Sequence, residues 1–251
     1  MGRSTEIYMF DKHKSSNYLY SVLTSQKPAK TFNEFIQQRK EAFGESYNTT
    51  FEETISTVKE NINLISPDSL DKIILYLNEN QDLLNNNEVS NTDETLIKLG
   101  IIPLYKIHTS TACYSYMFQF GNFEDFFPFT NSYENGYNLQ SSDFLLFNDY
   151  MILLMHKIIT NKLDDNDIKL TSLEVNTIEK ITEQYKGNQT MQNAISKELH
   201  WLSHCIKEEN ENYKVEKNTI YTAPQFLYQS LEMRKKIQLQ KDSRIVIIDA
   251  I

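Results

Sequence analysis

Residues 143–162 read DFLLFNDYMILLMHKIITNK. At helical spacing the apolar side chains of this stretch fall on nearly every side, so a helix here has no wet face and has to be surrounded by other elements. Ser141 or Ser142 supplies a start signal of the N-cap type. Asn148, Asp149, His156 and Lys157 interrupt the stretch, and charge at the middle of a bilayer is costly, so the segment reads as a buried core helix rather than a membrane span. The surrounding sequence is expected to supply its cover.

Upstream, the helical signals are local and repeated. Thr31-Phe-Asn-Glu34 has capping-box spacing, with Gly44 placed to stop the helix about three turns later. Thr50-Phe-Glu-Glu53 repeats the signal, and Phe51, Ile55, Val58, Ile62 and Ile65 then step by four, three, four and three. Ser66-Pro67 gives a cap with proline in the first turn, opening a helix through Leu84. The Asn-rich stretch 85–92 is a loop. Thr92 opens a short helix that Gly100 ends, and Pro103 opens another running towards Gly121. Residues 122–141 hold Pro128, Gly136 and several Asn and Ser, which predicts a long irregular connection.

Downstream, helices fit 172–186 (closed by Gly187), 190–209 and 223–240, the last started by Thr222 and Pro224. Strand signals are confined to Ile7–Phe10 and the tail Arg244–Ile251. The tail either docks on the body or forms an edge seeking a partner. No period of helical-repeat length emerges. The pattern predicts an all-α fold: an irregular bundle or array of about seven to nine helices around the apolar helix 143–162. A minor β element at the termini is the most it allows, with no sheet of more than three strands. One domain over 1–251 is expected, with room for an N-terminal helical subdomain, 1–90, packed on 91–251.

The chain has 251 residues, of which 40% are hydrophobic and 24% charged, a balance that supports a packed core and excludes wholesale disorder. Net charge is −9, which argues against general nucleic-acid binding because phosphate needs a positive surface. Lys outnumbers Arg 21 to 4 and Asn supplies 24 residues, a skew that reads as coding bias rather than structural demand. Cys113 and Cys205 are too few for a disulfide framework. The first residues carry no apolar stretch of signal-peptide length, and Glu6 stands where a myristoylation signal wants Ser or Thr. The expectation is a reduced, cytoplasmic protein.

Several constellations carry possible chemistry. His200 and His204 are four apart, the spacing that lets two imidazoles share a metal, with Glu208 a turn further on. They fall opposite the apolar side made by Ile195, Leu199, Leu202 and Ile206. Trp201 follows the first histidine where the hydrolytic motif wants glutamate. A solvated face is therefore the preferred reading. Asp164, Asp165 and Asp167 do not fit a calcium loop, whose sixth position would be Leu170 and twelfth Asn176. Asp149 and His156 share one face of the apolar helix, where a buried acid–base pair could draw on His108, Ser110, Thr111 or Ser115. Buried polar contacts between helices are the plainer explanation. Arg234, Lys235, Lys236, Lys241 and Arg244 form a basic cluster suited to a helix C-terminus. The glycine-rich phosphate loop, the dinucleotide fingerprint and the nucleophile elbow are absent.

One segment has an unusual composition. Fifty residues between Lys106 and Lys157 contain no Lys or Arg, and the stretch Tyr114–Tyr150 holds 13 of the chain's 30 aromatic residues. Acidic residues interleaved with rings suit a basic partner, through charge attraction and cation–π contact. The expected partner-binding residues are Phe123, Glu124, Asp125, Phe126, Phe127, Phe129, Tyr133, Glu134 and Tyr137. Together these features predict a non-enzymatic protein-binding domain that needs no cofactor and no membrane. Its most concrete form is an acidic inhibitor or immunity-type protein that neutralises a basic toxin. The alternatives are a metal-dependent helical hydrolase using His200 and His204, and a binder of a cationic small molecule.

Overall fold

Ile7-Tyr8-Met9-Phe10 and Ile245-Val246-Ile247-Ile248 are buried at every position, with both faces of each strand covered. Continuous apolar runs of this kind belong to interior strands, and that is where the fold puts them. The computed structural model describes residues 4–10, 15–28, 30–44, 50–80, 92–107, 132–133, 136–161, 168–208, 213–239 and 243–250.

Within those residues the chain runs β1 (Ser4–Phe10), α1 (Ser15–Leu23), α2 (Phe32–Phe43), α3 (Phe51–Asn61), a 3-10 turn (Ile62–Leu64), α4 (Pro67–Glu79) and α5 (Thr92–Lys98). There follow β2 (Ile101–Ile107), β3 (Ser132–Tyr133), β4 (Gly136–Gln140), α6 (Ser141–Thr160), α7 (Ser172–Gln184), α8 (Gln189–Glu208), α9 (Tyr213–Gln238) and β5 (Arg244–Ala250). The five strands form one antiparallel sheet in the order β2-β1-β5-β4-β3.

The protein is mostly helical, as expected, but the expected limit of three strands is wrong, and the sheet is no minor appendage. Two of its three inner strands, β1 and β5, come from opposite ends of the sequence, with Ile7 paired to Ile247. Ile7, Met9, Ile245 and Ile247 face one apolar cluster, closed by α6 to α9. Tyr8, Phe10, Val246 and Ile248 face a second, closed by α1 to α5. The result is a three-layer sandwich of helices, sheet and helices.

Two further expectations need correction. The helix predicted to start at Pro103 is strand over Ile101–Ile107. Proline suits a helix start, but it also suits an edge strand at a bulge, and both conditions hold here. Ile7 pairs with Tyr105 while Tyr8 pairs with Pro103, so Leu104 is the extra residue. The irregular connection predicted over 122–141 contains β3 and β4. Gly136, read as a loop signal, is a strand residue with φ 141°, and a Cβ there would lie 1.9 Å from the Ile247 carbonyl oxygen. Only glycine lets β4 approach β5 that closely.

Local signals fared better. Thr31 and Glu34 form the predicted capping box, and Gly44, at φ 66°, closes the helix. Thr50 caps α3, and Ser66 with Pro67 starts α4. Helix α6 begins at Ser141 rather than being capped by it: Gln140 is the N-cap, with no side-chain cap, and the Ser141 N–H donates to Ser243 O at 3.1 Å. Helix α9 starts at Tyr213, ten residues before the predicted start at 223, and Pro224 lies inside it. That proline removes one intrahelical hydrogen bond without ending the helix.

Asn138 ties the layers together. Its Nδ2 donates to Asn63 O at 3.1 Å and Ile65 O at 2.6 Å, and its Oδ1 accepts from Arg244 Nε at 2.8 Å. Arg244 Nη2 also donates to Asn138 O at 2.9 Å. The side chain thus fastens β4 and β5 to the connection between α3 and α4.

Candidate functional site

Among the described residues, a buried group of titratable side chains lies where α6, α7 and α9 meet. Asp149 sits on α6 and is 2% exposed, so its carboxylate depends on protein partners for the hydrogen bonds water would have given. Arg234, on α9, supplies them as a fork: Nε donates to Oδ1 at 2.7 Å and Nη2 to Oδ2 at 3.5 Å. The Tyr185 hydroxyl, just past the end of α7, donates to Oδ2 at 3.3 Å. Alongside, Asn148 Nδ2 donates to Ser230 O at 2.8 Å, a second polar tie between α6 and α9.

Burial pushes the Asp149 carboxyl above its ordinary value, and the Arg234 guanidinium and Tyr185 hydroxyl oppose that rise without cancelling it. Burial, together with the Asp149 charge, pushes the Tyr185 phenol up to about 12. His156 is held below the usual imidazole range, first by burial and then by neighbouring Lys157.

The arrangement clamps three helices. A general base has to take a proton from what it touches, and the guanidinium beside Asp149 does not give one up. The partners the fold gives Asp149 are Arg234 and Tyr185 rather than His156, so the anticipated pairing of Asp149 with His156 is not what forms. His108, Ser110, Thr111 and Ser115 lie outside the described residues, as do Asp164, Asp165 and Asp167.

His200 and His204 are exposed on α8. The buried side of the same helix carries Ile195 and Leu202, with Leu199 packed at its margin, as the periodicity implied. Trp201 is 38% exposed and its ring lies 6.0 Å from that of His204. Nothing is described for the side chain of Glu208, and among the described residues no three His, Cys, Asp or Glu gather as a metal would require. Cys205 is buried while its neighbour His204 is exposed.

The expected partner-binding residues divide. Phe123, Glu124, Asp125, Phe126, Phe127, Phe129 and Glu134 lie outside the described residues. Tyr133 belongs to β3 and pairs with Gly136. Tyr137 lies on β4 opposite Ile247 and packs, half-buried, against the core. Strand β2 ends at Ile107 on one edge of the sheet and β3 begins at Ser132 on the other. The acidic, aromatic stretch between them therefore joins opposite edges.

The basic cluster expected at the end of α9 does not assemble. Arg234 and Arg244 turn inward onto Asp149 and Asn138, leaving Lys235 and Lys236 exposed, and Lys241 lies outside the described residues. Arg39 is also engaged: it pairs with Glu79 and stands over the rings of Phe35 and Phe43. Sequence reasoning missed these roles, though a signal existed. A chain that uses Lys 21 times and Arg 4 times keeps Arg where a planar, multidentate donor is required.

Among the described residues no helix is long and apolar enough to cross a membrane. Comparison with known proteins gave no matching family model, no matching curated protein and no matching solved structure.

Proposed function

We propose that this chain is a non-enzymatic protein-binding domain for a basic partner, in its most concrete form a cytoplasmic inhibitor of immunity type that neutralises a basic toxin. The observation that carries this reading is the net charge: 34 Asp and Glu against 25 Lys and Arg give −9. Three of the four arginines are engaged in internal contacts. A net negative charge speeds encounter with a cationic protein. In this reading the scaffold is a single domain, with the apolar helix 143–162 at the heart of one helical layer and the N-terminal helices forming the other. The acidic aromatic stretch, with Glu124, Asp125, Phe127 and Phe129, is its contact surface.

The test is capture of native partners from the source cell on immobilised protein, with binding kinetics then measured on whatever is captured. Expected are basic partners whose association slows with added salt and with Glu124→Lys plus Asp125→Lys, while the variant keeps the parent's thermal midpoint. Retention of neutral or acidic proteins, or a charge reversal that leaves association unchanged, overturns the reading. Stoichiometric zinc or manganese in the purified protein, lost in His200→Ala with His204→Ala, would favour the hydrolase instead.

A further inference from the structure

Helix α7 is attached differently from its neighbours. Of its 13 residues only Ile178 and Ile181 are buried, whereas α6 buries Phe144, Phe147 and the whole run Asn148–Met155. Leu173, in its first turn, is 70% exposed. It packs on α6, and each of its ends carries a tyrosine hydroxyl tie beside partly buried apolar contacts, Ile168 and Leu170 before the helix and the Tyr185 ring after it. At the C-terminal end Tyr185 reaches the buried Asp149, and the following turn is tied to α8 by the Gln192 side-chain amide donating to Lys186 O. At the N-terminal end the tie is exposed: Tyr228 Oη, on α9, donates to Lys169 O at 2.8 Å.

Helices α7 and α8 are also locally self-sufficient. Thr171 and Glu174 cap α7 reciprocally, and Asn188 Oδ1 accepts from Met191 N at 3.0 Å at the start of α8. Between them Gly187 stands in open space, with no atom within 4 Å of where a Cβ would be. Neither helix needs the other to remain a helix.

We propose that α7 is a flap that opens as a unit, pivoting at Tyr185–Gly187, with the Tyr228–Lys169 hydrogen bond as its latch. Opening uncovers Ile178, Ile181 and the part of α6 beneath them, and brings solvent to Asp149. Local opening of this kind draws on elements with few buried apolar contacts and leaves the rest of the fold intact.

Hydrogen exchange on the full chain tests it. In the parent, amides of 172–184 should exchange at least about tenfold faster than those of 144–158, as expected for sub-global opening. Tyr228→Phe should speed 172–184 by about a further fivefold, the change that loss of an ordinary net hydrogen bond brings. The rates of 144–158 and the denaturation midpoint should not move. Common protection of α7 and α6 in the parent overturns the flap. A Tyr228→Phe variant in which 172–184 is unchanged, or in which all helices accelerate together, overturns the latch.

Discussion

On the side of the sheet that carries Tyr8, Phe10, Val246 and Ile248, the N-terminal helices close the core with rings. Phe32 lies 6.3 Å from Phe35, 6.0 Å from Phe51 and 5.1 Å from Tyr76, centroid to centroid. The Tyr76 hydroxyl escapes the cluster by donating to Lys30 O at 3.2 Å. On the opposite side, Ile7, Met9, Ile245 and Ile247 meet helices that are mainly aliphatic, yet these bury a carboxylate and its arginine. The first layer is held mainly by contact area and ring geometry, with one buried hydroxyl, Tyr8, donating to the Glu6 carboxylate. The second depends in part on a charge pair whose desolvation cost is repaid only while both partners are present. One sheet thus supports two layers that should fail in different ways.

The largest expected effect separates them. Arg234→Met leaves Asp149 buried without its counter-charge and should cost about 3–5 kcal/mol in denaturant unfolding. Replacing both partners, Asp149→Leu with Arg234→Met, should recover most of that loss, because two apolar side chains need no pairing. A ring removed from the other layer, Phe32→Ala, should cost a similar amount, about 3–5 kcal/mol, with no partner change able to restore it. If the double variant is no more stable than Arg234→Met alone, the contrast between the layers fails.

Acid sharpens the comparison at intermediate size. Burial raises the folded-state value of Asp149 above its unfolded one, so the folded protein binds this proton more readily. Its contribution to stability is therefore complete below the unfolded value, near about 3.9, and is lost as pH rises through the folded value. Relative to Asp149→Asn, the parent should gain stability as pH falls from 7 towards 4. His156 has the opposite sign: its folded value is lowered, so its contribution holds above the unfolded value and is lost as pH falls through the folded one. Unfolding midpoints of parent, Asp149→Asn and His156→Gln across that range measure both slopes. A parent whose stability relative to Asp149→Asn falls with acid would reverse the assignment for Asp149.

The smallest effect is expected outside both cores. His200→Ala with His204→Ala changes two exposed side chains and should move stability by less than about 0.5 kcal/mol each. A larger loss, read from the same unfolding curves, would mean that the outer side of α8 belongs to a third packed region.

Much of the helical framework was legible because its signals are short-range. The Thr31–Glu34 box, the Thr50 cap and the Ser66-Pro67 start each involve residues no more than three apart, and each capping side chain satisfies backbone donors that any helix of this sequence would expose. The apolar character of 143–162 was equally plain. The sheet was legible only at its termini, as β-prone runs without a destination. Pro103 and Gly136 were misread because each has a second meaning that depends on a strand elsewhere in the chain.

The sequence by itself determined most of the helices, which side of α8 meets the core, and that the runs 7–10 and 245–248 are β-prone. The tertiary structure alone decided that those two runs pair with each other in the middle of a sheet, and that Asp149 meets Arg234 and Tyr185. The reason is the range of the interactions. A cap or an amphipathic period is set by neighbours along the chain, whereas Ile7 against Ile247, or a carboxylate against an arginine 85 residues away, is selected only when the packed layers bring them within hydrogen-bonding distance.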